Sequence, residues 1–346
     1  MGGSGPVRRQ GGHPVSAAPP LRVLVTGASG LLGSGVARRL VESGADVVTL
    51  QRRPSGVAGA RDVLGTVTDA AAVERAMSGR DTVVHVAAKV SVSGPAQEFE
   101  QVNIGGTATV LEAARRAGAE RFIHISSPSV AHAGTSIVGE GAGPADPDRA
   151  RGHYARTKAA GELLTLAADG ADLRVLALRP HLMWGPGDTQ LTERIIHRAR
   201  AGRMPLLGPA AALVDTLYSD NAVDAVVAAV AAVDRVHGEA LVVTNGEPRP
   251  VGELIRGLAT AGGAPEPRLR IPGGLARSAG AVIERIWEAA DLGQDGDEPP
   301  LTRFLAEQLS TAHWFDQRRT RATLDWVPAV TIDHGLELLA EHYRRR

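Results

Sequence analysis

Residues 21–33 read Leu-Arg-Val-Leu-Val-Thr-Gly-Ala-Ser-Gly-Leu-Leu-Gly. The first six form a short apolar, β-branched run suited to a buried strand, and it stops at a turn spaced Gly27-x-x-Gly30-x-x-Gly33. A helical pattern covers 31–43, Gly44 ends it, and 46–50 (DVVTL) reads as the next strand. Strand, glycine turn, helix, strand is the opening of a right-handed βαβ unit. In a chain with 41 glycines a three-glycine spacing alone is weak, and it also fits a plain tight turn. After a strand and before a helix it does more. It lets backbone approach a pyrophosphate and faces the free N–H groups of the helix N-terminus toward its charge. The predicted dinucleotide contacts here are Gly27, Ser29, Gly30, Leu31, Leu32 and Gly33.

Outward from this unit the alternation continues, with strands near 62–64, 82–86, 121–126 and 173–178 and helices over 69–78, 100–117 and 153–169. After Pro180 the rhythm breaks. A loop leads to a helix at 190–201, a short segment near 213–217, a helix at 219–233 and a strand at 240–244. This pattern predicts an α/β fold: a Rossmann-type doubly wound parallel sheet with a smaller C-terminal α/β substrate lobe. The expected division is a disordered leader over 1–20, a dinucleotide-binding domain over 21–180 and 216–246, and a substrate lobe over 181–215 and 247–346. The acidic stretch from Asp291 to Pro300 reads as a loop.

Bulk properties exclude several classes. The 346 residues are 43% hydrophobic and 22% charged, ordinary globular usage. The 38 basic and 38 acidic residues cancel, so no general grip on nucleic acid is expected. Without cysteine there is no disulfide or thiolate chemistry. No signal-peptide core or membrane-length apolar run occurs, so the expectation is a soluble, cytoplasmic protein with no membrane span. The histidines at 85, 124, 132, 153 and 181 lack metal-site spacing, and no metal is expected.

Two further places carry chemistry. The second strand ends Leu50-Gln51-Arg52-Arg53, where folds preferring NAD carry an acid for the ribose hydroxyls. Arg52 and Arg53 suit a 2′-phosphate instead, so NADP(H) is favoured with NAD(H) as the alternative; otherwise the pair is simply solvated. Tyr154 and Lys158, four apart at a helix start, place a phenol and an ammonium on one face. With a pKa of about 10 a phenol needs an adjacent cation to act near neutral pH, and Lys158 supplies it. Lys158 is also placed to hydrogen-bond the nicotinamide ribose, so Tyr154 and Lys158 are predicted cofactor contacts too. Ser127, at the end of a predicted strand, is placed to orient a substrate oxygen. The predicted catalytic set is Ser127, Tyr154 and Lys158.

With TGASGLLG at 26–33, HVAA at 85–88, VNIGGT at 102–107, HISSPSV at 124–130, YARTK at 154–158 and LRPHLMWGPGD at 178–188, the chain resembles an extended short-chain dehydrogenase/reductase. Within that superfamily it is most similar to the 3β-hydroxysteroid dehydrogenase/isomerase family, over about 21–330. The resemblance implies that Ala87 and Ala88 pass close to the adenosine ribose and that Asn103 sits on the helix supporting the site. It also implies that Pro180 and His181 lie over the nicotinamide, and it suggests a homodimer through the helices at 100–117 and 153–169. Gln51 replaces an aspartate frequent in the family, which argues further against NAD, and Gly65-Thr66 replaces its Gly-Asp, so the adenine contact must differ. No residue is assigned to an isomerase step. The region 273–292, membrane-associating in some members, carries Arg277, Glu284, Arg285 and Glu288 and reads as a surface helix or substrate lid.

The expected function is hydride transfer between a nicotinamide and a hydrophobic secondary alcohol or ketone, a sterol or other 3-hydroxy/3-keto compound. The rivals are a sugar-nucleotide epimerase or dehydratase, a 2-alkyl-3-ketoacid reductase and, from another class, a non-catalytic cofactor sensor.

Overall fold

The computed structural model describes residues 20–91, 94–132, 134–272 and 311–345. The expected leader, apart from Pro20, the segment 273–292 and the stretch 291–300 lie outside the described residues.

Seven strands build the central sheet: β1 (Arg22–Thr26), β2 (Asp46–Gln51), β3 (Arg61–Leu64), β4 (Thr82–His85), β5 (Arg121–Ile125), β6 (Arg174–Pro180) and β7 (Glu239–Val243). Their order is β7-β6-β5-β4-β1-β2-β3 and every pairing is parallel. This is the doubly wound Rossmann arrangement, and its order reverses between β1 and β4, where a crevice opens at the strand C-termini. Strand periodicity sorts the core: Val23 and Val25 face one layer while Leu24 faces the other. Helices α1 (Leu31–Glu42) and α5 (Ser219–Ala232) cover the first face, and α2 (Ala70–Met77) and α3 (Thr107–Arg116) the second. The helix carrying the Tyr/Lys pair is α4 (Gly152–Leu166).

Two expectations are corrected. The single helix predicted over 100–117 is a short α-turn at Ala96–Phe99, a π-helical turn over Glu100–Gly106, and then α3. A Cβ on Gly106 would stand 2.5 Å from the Val67 side chain, so this stretch must pass close to the β3–α2 loop. Wide turns of this kind re-aim side chains near functional sites, and here the turn carries Asn103. Second, Ile137–Glu140 falls inside the span assigned to the dinucleotide-binding domain but pairs with His313–Phe315 in the lobe's four-stranded sheet. The chain leaving β5 therefore contributes to the lobe before returning at α4. The lobe has its own core around Trp184, Ile196, Tyr218, Leu254, Leu258 and Leu339. Among the described residues no helix is long and apolar enough to cross a membrane.

Candidate active site

The glycine turn is shaped by backbone proximity. Gly27 has φ +76°, and a Cβ there would lie 2.9 Å from the backbone of Ala87. Its N–H donates to the Leu50 carbonyl at 2.9 Å, which pins the turn between β2 and the β4 end. At Gly33 a Cβ would stand 2.4 Å from the Gly27 carbonyl oxygen, whereas at Gly30 the nearest atom would be 3.5 Å away. Ser29 and Gly30 are exposed, no side chain caps α1, and its first turn carries no acid. No side chain therefore competes for the first N–H groups of α1, the kind of donor a pyrophosphate needs. Leu32 buries its side chain in the core, so only its backbone can serve a ligand.

At the end of β2, parallel pairing adds a residue that linear reading missed. Asp62 of β3 lies opposite Thr49, and its carboxylate accepts from the Thr49 hydroxyl (2.5 Å), Gln51 Nε2 (3.2 Å) and Ser55 N and Oγ (2.9 and 2.7 Å). Burial pushes its pKa up, but these hydrogen bonds outweigh that and hold it below the usual carboxylate range. The carboxylate is therefore committed to tethering the 52–55 loop. Arg52 and Arg53 are exposed on that loop, with no ion-pair partner among the described residues.

Ser127, Tyr154 and Lys158 come together at the β5 and α4 ends. Tyr154 hydrogen-bonds Ser127, whose Oγ also accepts from Ser129 N (3.3 Å) and Oγ (3.0 Å). Burial raises the phenol pKa and the Ser127 bond opposes it. Lys158 is buried, and its ammonium donates to the Ile125 carbonyl at 2.6 Å and lies 3.4 Å from His124 Nε2. Burial and the Ser127 bond are the two influences on the phenol in this arrangement, and Lys158 stands one helical turn further along α4. His124, weighed in the sequence only as a metal ligand, is the second neighbour of the ammonium.

Asn103 is a strut. Its carboxamide accepts from Lys89 N (2.7 Å) and donates to Lys89 O (3.1 Å) and Thr157 Oγ1 (3.1 Å), joining the loop after β4, which holds Ala87 and Ala88, to the helix carrying Tyr154 and Lys158. A buried chain runs beside it. The Thr26 hydroxyl accepts from Val86 N and Ala87 N, so its hydrogen goes to His85 Nδ1 at 2.9 Å. His85 Nε2–H then donates to Thr107 Oγ1 (3.1 Å), and Thr107 to the Asn103 carbonyl (2.7 Å). This assigns a neutral His85 and locks the β1 and β4 ends to the π-turn.

Pro180 ends β6 at the crevice. His181 commits its N–H to the Val243 carbonyl (3.1 Å) and its Nδ1 to the Asp215 carbonyl (2.7 Å). Asp215 and Tyr218 are anchors. The Asp215 carboxylate accepts from Thr244 Oγ1 (2.6 Å), Gly246 N (2.9 Å) and Glu247 N (3.1 Å), and Tyr218 packs edge-on against buried Trp184. Met183 is half-buried on the same short strand.

Burial, reinforced by neighbouring positive charge, holds His85 down at about 3 and His313 at about 3; burial likewise holds His181 at about 4. Each binds fewer protons folded than unfolded, so each contributes stability that is present above pH ~6.5 and lost as pH falls below it. Asp215, raised to about 6 by burial, acts in the opposite sense, losing stability as pH climbs from ~4 through 6. With His124, also held down by burial, four histidines stand against two carboxylates raised by burial, Asp215 and Asp224, and they set the direction. The urea midpoint is expected to be clearly lower at pH 5 than at pH 7, and an equal or higher midpoint at pH 5 would overturn the neutral-histidine assignment.

A family model described as NAD dependent epimerase/dehydratase family matches residues 23–244. A 2-alkyl-3-oxoalkanoate reductase of Stenotrophomonas maltophilia is 40% identical, over 92% of this chain and 98% of its own. A 3 beta-hydroxysteroid dehydrogenase/Delta 5-->4-isomerase of Mycobacterium tuberculosis is 30% identical, over 93% of this chain and 90% of its own. Among solved structures, MoeE5 in complex with UDP-glucose and NAD is similar with a TM-score of 0.72 at 25% identity, covering 94% of this chain and 99% of that one. The family match runs across all seven strands of the sheet and well over half of the sequence, so the chain belongs to the NAD dependent epimerase/dehydratase family.

Proposed function

We propose that the chain is an oxidoreductase that interconverts a ketone and a secondary alcohol on a hydrophobic substrate, with a 2-alkyl-3-oxoalkanoate as the first candidate. The observation that carries this reading is Tyr154 hydrogen-bonded to Ser127 with buried Lys158 one turn on, at the same strand ends as the glycine turn. The relative at 40% identity over nearly the whole chain supports the substrate class. A second reading, a 3β-hydroxysteroid dehydrogenase, draws support from the relative at 30%.

A bound nicotinamide supplies or accepts the hydride. In the reductive direction Ser127 orients the substrate oxygen, and the Tyr154 hydroxyl gives it a proton as the carbonyl carbon gains its new C–H bond. The Lys158 ammonium offsets the charge then left on the phenolic oxygen. Asn103 and Thr157 keep the helix at its distance from the β4 loop. A screen of 2-alkyl-3-oxoalkanoates, 3β-hydroxysterols and nucleotide sugars, followed at the reduced-nicotinamide absorbance, tests the reading. Turnover of nucleotide sugars alone would overturn it.

For the cofactor we favour NADP(H), supported by two guanidinium groups with no ion-pair partner among the described residues and by the commitment of Asp62 to Ser55, Thr49 and Gln51. One lost charge-assisted bond is worth about 1.5–3 kcal/mol. The Arg52→Ala/Arg53→Ala double variant is therefore expected to lower the NADPH-over-NADH ratio of kcat/KM by about ten- to a hundredfold. An unchanged ratio, or a strong NADH preference in the parent, would remove the argument.

A further inference from the structure

Behind Lys158 lies a pair of charges that the proposed chemistry has not used. Arg179, next to last in β6, and Glu162 on α4 are 1% and 0% exposed. They form a two-pronged ion pair, Nε to Oε2 at 2.8 Å and Nη2 to Oε1 at 2.5 Å. The remaining nitrogen, Nη1, donates to the carbonyls of Ala142 and Gly143. One guanidinium thus joins the strand leading to Pro180 and His181, the helix carrying Tyr154 and Lys158, and the loop ahead of that helix.

Desolvating two charges offsets most of what their attraction returns, so a buried ion pair is a poor choice for stability alone. Its position suggests another reason. Glu162 is one helical turn beyond Lys158 on the same face. The titratable and charged groups around the ammonium are Tyr154 and Glu162 on its own helix, His124 from β5, His85 from β4, and Arg179 from β6 through Glu162. Both histidines are held neutral by burial. The cluster therefore holds two cations, Lys158 and Arg179, and one anion, Glu162.

We propose that Glu162 and Arg179 are positioning residues for the reaction: Glu162 keeps Lys158 in its charged form, and Arg179 fixes Glu162 and the catalytic helix against β6. This rests on the reading of Tyr154 and Lys158 given above. Burial draws the ammonium down to about 8, and Glu162 is the group that opposes the fall. Without that carboxylate, an unmatched Arg179 stays buried nearby and Lys158 surrenders its proton at lower pH.

The test is the pH profile of kcat/KM with a 2-alkyl-3-oxoalkanoate as substrate. Glu162→Gln is expected to move the alkaline limb down by at least one pH unit, a loss of about tenfold at pH 9 with little change at pH 6. Glu162→Gln/Arg179→Met removes the second cation and leaves a neutral pair of similar volume; its limb returns part of the way and stays below the parent's. A purely structural role predicts the same fractional loss at every pH. That result, or a parental limb in either variant, overturns the proposal. If Glu162→Gln does not fold, the double variant decides alone. Tyr154→Phe, assayed in parallel, separates the two ideas. Full activity there sinks the reading of the site itself, whereas an inactive Tyr154→Phe beside an unmoved limb sinks only the role of Glu162 and Arg179.

Discussion

Tyr154→Phe is expected to lower kcat by about two to four orders of magnitude, the usual range for loss of a positioned acid–base group, and to leave dinucleotide affinity nearly unchanged. The two halves of that result have separate causes. The hydroxyl removed is the proton source for the substrate oxygen, while the ring that remains keeps its half-buried packing on α4. The glycine turn and the Arg52/Arg53 loop are built from other strands and are not disturbed. Turnover is read at the nicotinamide absorbance and affinity by fluorescence titration of the reduced cofactor. A variant that keeps more than about a tenth of parental turnover would exclude Tyr154 as the proton donor. A sensor without turnover would be indifferent to the change in every respect.

The second large effect is expected at Gly33. A Cβ there meets the Gly27 carbonyl oxygen at 2.4 Å and its carbon at 2.8 Å, and both are backbone atoms. Neither can retreat easily, because Gly27 N–H is held by the Leu50 carbonyl and Gly27 itself abuts Ala87. Gly33→Ala should therefore distort the turn, lowering stability by about 1–3 kcal/mol in the manner of overpacking and weakening dinucleotide binding by about a hundredfold or more. Gly30→Ala is the contrast. With its nearest atom at 3.5 Å and an extended φ of −96°, the apo protein should tolerate it. If the dinucleotide lies against this exposed turn, affinity falls while the melting temperature holds. Parental affinity in Gly33→Ala would mean that the dinucleotide does not use this turn.

Much of the proposed site was readable in order along the chain. The glycine spacing, Ser127 at a strand end and the Tyr154/Lys158 interval are local patterns whose chemistry depends on neighbours three or four residues away. The same reasoning placed most strands and helices within a few residues. It failed where a long-range partner decides. The helix expected over 100–117 opens into a π-turn because Gly106 packs on Val67 from another unit. Ile137–Glu140 leaves the dinucleotide-binding domain because its partner strand, His313–Phe315, lies far along the chain. Asp62 entered the cofactor loop only through its register with Thr49. Glu162 left one signal, its place four residues after Lys158, but nothing in the sequence paired it with Arg179.

What the amino-acid order determined by itself was the alternating fold class, the glycine turn ahead of the first helix and the kind of chemistry a phenol and an amine one turn apart can perform. Those follow from periodicity and short-range geometry, which any folded version of the chain must respect. What only the tertiary structure decided was the electrostatic setting: Lys158 against Ile125 and His124, His85 locked neutral, and two cations matched by one carboxylate behind the phenol. Burial and distance between residues from different strands create that setting, and neither quantity exists until the sheet has closed.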